Sequence, residues 1–415
     1  MDGYLAIYCL IVIWIIILIN VVLVVAGYVY YEKVQKMEMK EELDYYPFVS
    51  IMVPAHNEAI VIEKTVKSLL NLSYPNDRYE IIVINDNSSD NSAEILNRLQ
   101  NENKSRNLIV INTDSETGGK GKSNSLNIGF EKSKGEVLAI YDADNTPEKN
   151  ALKYLVQTLM EDEGLGAVIG KFRCRNKDVN LLTKFINIET LTFQWMAQAG
   201  RWQLFKLCTI PGTNFVIRRS IIESMGGWDT KAVTEDTEIS FRMYRMGYKI
   251  KFMPKAVTWE QEPQTLKVWI RQRTRWAKGN NYVVVKNFKY LFRKDAGVTR
   301  FDILYYSITY FLFLSASILS DALFILGILG IINLNIAGYS TVFWIMAILV
   351  FVLSIQVAIS TEKGELNLKN AGITIIMYFV YCKLWEVVAA LGFYQYMKDT
   401  ILKRETKWYK TERFQ

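Results

Sequence analysis

The sequence predicts an α/β domain with a mostly parallel sheet, helices on both of its faces, and membrane-spanning helices on either side. Three observations lead there. An uncharged apolar run from Tyr4 to Tyr31 is long enough to cross the ~30 Å hydrocarbon core of a bilayer. Three more apolar stretches, Ile303–Leu334, Thr341–Ser360 and Ala371–Tyr396, lie near the other end. Between them, short Val/Ile-rich runs alternate with helical patterns at the spacing of βα units. Composition agrees: half of the 415 residues are hydrophobic, yet 22% are charged, which suits a polar domain joined to apolar segments better than one uniform soluble fold.

Residues 1–32 form the first element, a transmembrane helix. A signal peptide is the rival reading, but there is no basic leader, the apolar run is too long, and no small-residue cleavage site follows. Lys33, Lys36 and Lys40 come next, which sets the linker 33–46 in the cytoplasm and the N-terminus outside. In the central domain, 47–262, the expected strands are Phe48–Val53, Tyr79–Asn85, Leu108–Asn112 and Glu136–Tyr141. The expected helices are Ala59–Leu72, Ser92–Asn101 and Ser123–Lys132. Residues 263–300 read as amphipathic interface helices: Leu266, Trp269, Ile270 and Ala277 recur at helical spacing, with arginines on other faces. Residues 301–397 hold about three spans, and 398–415 form a basic tail. One span before and three after would leave the C-terminus outside, whereas the basic tail belongs inside. Either the long stretch Ile303–Leu334, which contains Asp321, counts twice, or one apolar segment lies in the interface.

Composition also excludes classes of function. The net charge of +7 is mild, the basic residues form no dense tract, and no nucleic-acid-binding signature is present, so no nucleic-acid partner is expected. Cys9, Cys174, Cys208 and Cys382 are too scattered for a zinc site or a disulfide framework. With His56 as the single histidine, a histidine-ligated metal or a Ser-His-Asp triad is almost excluded.

In an open α/β sheet, ligands bind beyond the carboxyl ends of the strands, and polar clusters follow three of the predicted strands. Asp142 and Asp144 end one of them, and hard cations such as Mg²⁺ or Mn²⁺ take carboxylate oxygens together with substrate phosphates; a polar turn in which Asp144 caps a helix is the plain alternative. Asp86 ends another strand and suits a base or ribose contact, or an Asx turn. Glu58, in the first strand-end loop, suits a nucleotide contact or a helix-dipole carboxylate. Gly118 to Ser123, with Lys120 and Lys122, forms a glycine- and lysine-rich loop able to meet phosphate, although its spacing is not that of a Walker A loop. Thr234-Glu235-Asp236 opens a helix running to about Met246, with Thr234 placed as its N-cap and a carboxylate available as general base. Gln272, Arg275 and Trp276, at i, i+3 and i+4, share one helical face, where an arginine suits a leaving diphosphate and a tryptophan a sugar ring. Phe193, Trp195 and Trp202 read as core, with an acceptor channel as the alternative.

Taken in order, Asp86, Asp142-x-Asp144, Thr234-Glu235-Asp236 and Gln272-x-x-Arg275-Trp276 resemble the D, D-x-D, T/E-E-D, Q-x-x-R-W pattern of processive family 2 glycosyltransferases, which include cellulose, chitin, hyaluronan and poly-N-acetylglucosamine synthases. The resemblance covers nearly the whole chain. Pro54 to Glu58 resembles the family's P-x-x-N-E motif, and Gly121-Lys122 through Gly129 its G-K-x-x-A-L-N-x-G motif, with Ser125 in place of the usual alanine. The stretch Trp408 to Arg413 resembles a family ending.

The resemblance implies a GT-A domain. Pro54, Asn57, Glu58, Asp86, Lys122, Asp142, Gln272 and Arg275 would hold the nucleotide, and Asp142 and Asp144 a Mg²⁺ or Mn²⁺ ion, Asp144 more directly. Asp236 would be the general base, with Glu235 and Arg275 also catalytic. Gly212, Thr213 and Trp276 would meet the acceptor. The partners implied are a UDP-sugar, a growing glycan, the lipid bilayer and a small membrane accessory subunit. The implied product is a β-linked polysaccharide, best matched to poly-N-acetylglucosamine, made by a multi-pass cell-membrane protein whose catalytic domain is cytoplasmic. Two other readings stay open: a nonprocessive transferase acting on a lipid acceptor, and a noncatalytic glycan- or nucleotide-binding subunit.

Overall fold

The structure, a computed structural model, describes residues 2–293, 296–332, 340–403 and 411–414. In chain order the elements are α1 (Asp2–Gln35), β1 (Val49–Ala55), α2 (Ile62–Leu70), β2 (Tyr79–Asn85), α3 (Ser92–Glu102), β3 (Leu108–Asn112), α4 (Lys122–Lys132), β4 (Val137–Ile140), β5 (Thr146–Pro147), α5 (Ala151–Met160) and β6 (Leu165–Cys174). There follow α6 (Leu181–Thr192), α7 (Arg201–Phe205), β7 (Phe215–Arg218), α8 (Arg219–Met225), α9 (Glu235–Arg245), β8 (Lys249–Glu260), α10 (Leu266–Asn287), α11 (Thr299–Ser307), α12 (Leu314–Ile328), α13 (Ser340–Ser360), α14 (Leu368–Ile376) and α15 (Cys382–Ile401). Short π-helical segments, Phe193–Gly200, Ile308–Phe313 and Met377–Tyr381, link α6 to α7, α11 to α12 and α14 to α15.

The eight strands form one sheet in the order β3-β2-β1-β4-β7-β6-β8-β5. The first four are parallel, with Ile51 opposite Ile81 on one side and Ala139 on the other. Strands β2 and β4 are buried along their whole length, which is why they read as unbroken Val/Ile runs: helices cover both faces. The second half is mixed. Strand β7 runs antiparallel between β4 and β6, and β5 antiparallel to β8. The four predicted strands are all present, but β5, β6, β7 and β8 were not anticipated. Helix α2 starts later than expected, because residues 56–61 make a turn in which Asn57 adopts φ 53°.

Helix α1 has 34 residues, and one side of its C-terminal half packs on the α/β domain through Val24, Tyr30 and Val34. Gly27 and Gly200 let the helices touch: a Cβ on Gly27 would lie 1.8 Å from the Trp195 carbonyl oxygen, and one on Gly200 2.2 Å from that of Leu23. Tyr30 donates to the Phe252 carbonyl at 2.5 Å. Trp195 and Trp202 are core, as read from the sequence, whereas Phe193 is 37% exposed. On the other side, Arg201 and Asp302 form a fully buried ion pair that fastens α11 to the domain.

Three helical stretches, Gly3–Gln35, Thr299–Ile328 and Leu368–Ile401, are long and apolar enough to cross a membrane, and Ile345–Ser360 is a shorter apolar helix. The last of the three long stretches behaves differently from the others. Its α15 half lies along α10: Trp269 packs edge-on against Trp385, donates to the Tyr381 hydroxyl at 2.9 Å, and Lys278 pairs with Asp399 at 2.5 Å. Just before it, Glu362 and Glu365 pair with Lys171, Arg173 and Lys177 around β6. So part of the apolar stripe of α10 is covered from within the protein. Trp269 is completely buried because α15 covers it, and Arg273, one turn further on, is buried on the same face. Residues 333–339 and 404–410, including the expected ending at Trp408, lie outside the described residues.

Candidate active site

The carboxyl ends of β1, β2 and β4 open onto a cavity of about 570 Å³ that reaches as far as α12 and α15. Every site residue expected from the sequence lines it except Asn57. Asn57 instead joins two strand-end loops: its Oδ1 accepts from the Ser89 and Asp90 amides at 2.7 and 3.3 Å. That is a positioning task for the loops that border the cavity. His56 makes a similar tie, with Nδ1 2.6 Å from the Asp86 carbonyl oxygen.

Asp86 is cupped by the glycine-rich loop. Its Oδ1 accepts from the Gly119 amide at 2.8 Å and from the Thr113 hydroxyl at 3.2 Å. A Cβ on Gly118 would meet the same carboxylate at 2.7 Å. The loop amide expected to face phosphate is therefore aimed at Asp86, and from this loop Lys122 alone lines the cavity. Lys122 Nζ touches Asp142 Oδ1 at 2.6 Å, the Gly212 carbonyl at 2.7 Å and Glu235 at 3.4 Å. Burial works against its charge, but Asp142, Glu235 and Asp236 outweigh burial and hold the amine protonated well above its ordinary range. Thr213 Oγ1 accepts from the Asp142 amide at 3.0 Å, which sets the Asp142–Asp144 turn on the loop from Gly212.

Asp144 is 3% exposed. Its Oδ2 accepts from the Gln261 amide at 3.2 Å and pairs with Arg413 Nη1 at 2.8 Å. Arg413 also reaches Glu58 at 3.1 Å, so the C-terminal tail bridges two of the expected donor-site carboxylates. Behind Asp144 stand two buried acids. The carboxyl of Glu260 is pushed far up by burial and by Glu262, Asp144 and Asp142, and that of Glu262 is raised by burial. Among the described residues no three His, Cys, Asp or Glu side chains converge as a ready metal cage. Mg²⁺ habitually takes one or two carboxylates and fills its shell with phosphate and water, and the Asp142–Asp144 pair fits that pattern.

Asp236 sits in the first turn of α9 and accepts from the Thr237 amide at 2.7 Å. Burial and then Glu235 raise its pKa to about 7, against the opposing pull of Lys122 and Arg275. That value suits a general base working near neutral pH. Thr234 does not cap this helix: its hydroxyl is buried without a partner, close under Gly279 of α10.

Helix α10 supplies the remaining wall. Gln272 Oε1 accepts from Arg273 at 2.8 Å, and the Arg273 guanidinium stacks 4.0 Å over the Trp276 ring. Arg275 lines the cavity with its Nε buried and unpartnered. Sequence reasoning missed Arg273, Glu189, Glu260, Glu262 and Arg413. Arg273 stood inside the arginine run of α10 and could have been weighed there. Arg413 closed the stretch that resembles a family ending, but nothing local pointed to its partners, which lie about 270 and 355 positions earlier.

Residues 47–279, more than half of the chain, match the family described as "Glycosyltransferase like family 2". The chain belongs to glycosyltransferase family 2. This family 2 enzyme is 47% identical to "Probable glycosyltransferase YdaM" of Bacillus subtilis (strain 168) over 404 residues, 97% of this chain and 96% of that one. It is 32% identical to "Poly-beta-1,6-N-acetyl-D-glucosamine synthase" of Staphylococcus aureus (strain COL) over 240 residues, 58% of this chain and 56% of that one. Among solved structures, the mannosyltransferase PcManGT of Pyrobaculum calidifontis, in complex with GDP-Man and Mn²⁺, superposes with a TM-score of 0.64. That match covers 96% of this chain and 99% of the other at 19% identity, and it shows that the glycosyltransferase fold seen here extends to a distant relative. The mixed sheet with flanking helices is thus a GT-A domain.

Proposed function

We propose that this family 2 glycosyltransferase polymerises a β-linked glycan from a UDP-sugar, with UDP-N-acetylglucosamine as donor, and passes the chain into the membrane. One observation carries the reading. The cavity that holds Asp86, Asp142 and Asp144 continues past Asp236 to Tyr306, Tyr310 and Phe313 beside α12, and to Trp385 of α15. A donor site joined to an aromatic-lined passage between membrane-side helices suits a product that grows and leaves through the same space. The 32% identity to a poly-N-acetylglucosamine synthase supports the donor assignment.

In this reading Asp86, Glu58 and Pro54 cradle the nucleoside, and Lys122, Gln272 and Arg275 face the diphosphate. Asp144 and Asp142 would hold Mg²⁺ or Mn²⁺, which when bound neutralises negative charge on the diphosphate. The acceptor sugar stacks on Trp276 and lies against the loop Gly212-Thr213. Asp236 takes the proton from the acceptor hydroxyl while that oxygen bonds to the anomeric carbon. The bond to UDP breaks on the opposite face, with its electron pair leaving on the β-phosphate. The anomeric centre is inverted in one displacement. Arg275 and Lys122 offset the charge that gathers on the departing diphosphate.

Three spans fit the packing: α1, the stretch from α11 through α12, and α13. The α14–α15 stretch then lies in the cytoplasmic interface beside α10, which reconciles a basic tail inside with an N-terminus outside. The catalytic domain is cytoplasmic and the enzyme a multi-pass protein of the cell membrane, with an accessory subunit as a further partner. UDP release by the detergent-purified enzyme, with each UDP-sugar supplied singly, tests the chemistry. High-mass polymer from UDP-N-acetylglucosamine alone is expected. Addition of a single sugar to lipid would replace the proposal with a nonprocessive transferase, and no turnover with any donor would favour a binding subunit. A C-terminal tag labelled only after the membrane is opened would support the topology; labelling from outside would overturn it.

A further inference from the structure

A second pocket, of about 150 Å³, lies where the turn between α13 and α14 meets α6, and it shares no lining residue with the donor cavity. Lys177, Lys184 and Lys369 line it together with Asp178, Glu365, Asn187, Asn367 and Asn370. The Glu365 carboxylate is already saturated: Arg173 and Lys177 hold one oxygen at 3.1 and 2.6 Å, and the Asn187 and Asn370 amides reach the other at 3.2 and 3.1 Å.

Lys184 and Lys369 are different. They come from separate elements, α6 and α14, yet line the same small pocket, and Lys369 holds Lys184 below its ordinary range. Asp178 pulls weakly the other way. Among the described residues neither lysine has an ion pair. Two ammonium groups brought together by folding repel each other, and an anion between them reverses the sign of the interaction. Each lysine also sits in the first turn of its helix, where the backbone dipole adds positive potential.

Two further observations describe the ligand. Asn187 lines the pocket, is 4% exposed, and its Oδ1 is buried without a hydrogen-bond partner. That acceptor matches a hydroxyl donor on the ligand. Around the pocket Val179, Leu181, Leu366 and Leu368 are exposed, Leu368 by 93%. Leucines beside lysines, at the domain-side end of an apolar helix, are what the headgroup layer of a bilayer accommodates.

We propose that this pocket binds the headgroup of an anionic phospholipid, with its phosphodiester between Lys184 and Lys369, a headgroup hydroxyl on Asn187, and its acyl chains over the leucine rim. The site then fixes the domain at a set depth against the cytoplasmic leaflet. It lies next to β6, whose Lys171 and Arg173 pair with the same turn and whose Phe172 lines the donor cavity.

The test uses the full-length protein in detergent, titrated with dioctanoyl-phosphatidylglycerol, dioctanoyl-phosphatidylcholine or inorganic phosphate. Binding is read by native mass spectrometry and by the thermal unfolding midpoint. Phosphatidylglycerol is expected to bind saturably and at least tenfold more tightly than phosphatidylcholine, and Lys104→Gln should leave this unchanged. Lys184→Gln with Lys369→Gln should weaken binding at least tenfold without lowering the unliganded midpoint, since a repulsion is removed. Lys369→Glu supplies an anion from the chain itself, so it should raise the unliganded midpoint and abolish binding. Equal binding of phosphatidylcholine, or retained phosphatidylglycerol binding in Lys369→Glu, overturns the site. Inorganic phosphate saturating the pocket at concentrations as low as the lipid overturns the lipid assignment in favour of a free anion.

Discussion

Replacing Asp236 by asparagine should separate two consequences of burying a carboxylate. The side chain is held in the first turn of α9 with a pKa of about 7, raised by burial and by Glu235, roughly three units above the ordinary ~3.9. At ~1.36 kcal/mol per unit, the charged form costs the folded protein up to about 4 kcal/mol. The sign follows from the direction of the shift. For an acid raised in the folded state, the penalty is complete above pH 7, shrinks as pH falls, and vanishes below the unfolded pKa near 4. Asparagine keeps the shape and can still accept from the Thr237 amide, but it carries no charge. Asp236→Asn should therefore unfold a few degrees higher than the parent at pH 8.5. The gap should narrow to roughly 1.5 kcal/mol at pH 5 by the same relation. Turnover should fall by about 10²–10⁴, the usual contribution of a general base. In the parent enzyme, kcat/KM should rise tenfold per pH unit up to about pH 7 and then level off. Differential scanning fluorimetry in detergent at the two pH values, run beside UDP-release kinetics, reads all three. A variant less stable than the parent at pH 8.5, or one that retains a tenth of the parent's turnover, would refute the assignment of Asp236 as a buried base.

Three other substitutions probe the surroundings. Gly212→Ala places a Cβ 2.9 Å from Asp236 Oδ2 at a residue with φ 87°, so kcat should drop at least tenfold with the donor KM little changed, by steady-state kinetics. Arg413→Ala frees Asp144 and Glu58 from their guanidinium partner; Mn²⁺ titration of activity should then saturate at a several-fold lower concentration, and an unchanged or weaker Mn²⁺ dependence would mean that the tail does not compete with the ion. Asp302→Asn leaves Arg201 buried without its counter-ion, and removal of one partner of a buried pair costs about 3–5 kcal/mol, which should appear as a lowered unfolding midpoint.

The polar side of the cavity was legible because its residues carry local signals. Asp86, Asp142 and Asp144 each stand directly after a run of buried Val and Ile, and in a parallel sheet the end of such a run faces the ligand. Asp236 and Glu235 open a helix, and Gln272, Arg275 and Trp276 are spaced to share a face. The second half of the sheet was less legible. Strand β8 pairs with β6 through register shifts at Gly170/Lys171, so neither strand shows clean alternation, and β7 is four residues long. Thr234 looked like an N-cap from its position before two acids, yet its side chain turns under Gly279. Helix α10 read as an amphipathic interface helix; an amphipathic stripe says only that something apolar covers it, and at Trp269 α15 does so.

What stayed hidden is chiefly the charge balance. Glu58, Asp142, Asp144, Glu260 and Glu262 come from three separate segments and line one cavity, where so many ionised carboxylates repel one another strongly at low dielectric. The fold offsets them in three ways. Lys122 sits against Asp142, Arg413 bridges Glu58 and Asp144, and Arg273 reaches Glu262 at 3.7 Å. Among the described residues Glu260 has no cation partner, and burial together with its acidic neighbours raises its carboxyl well above the ordinary range. An acidic surplus of this kind favours any added cation. If, as proposed, the cavity also takes a divalent ion with a diphosphate, that ion and the guanidinium of the tail should exclude each other at Asp144.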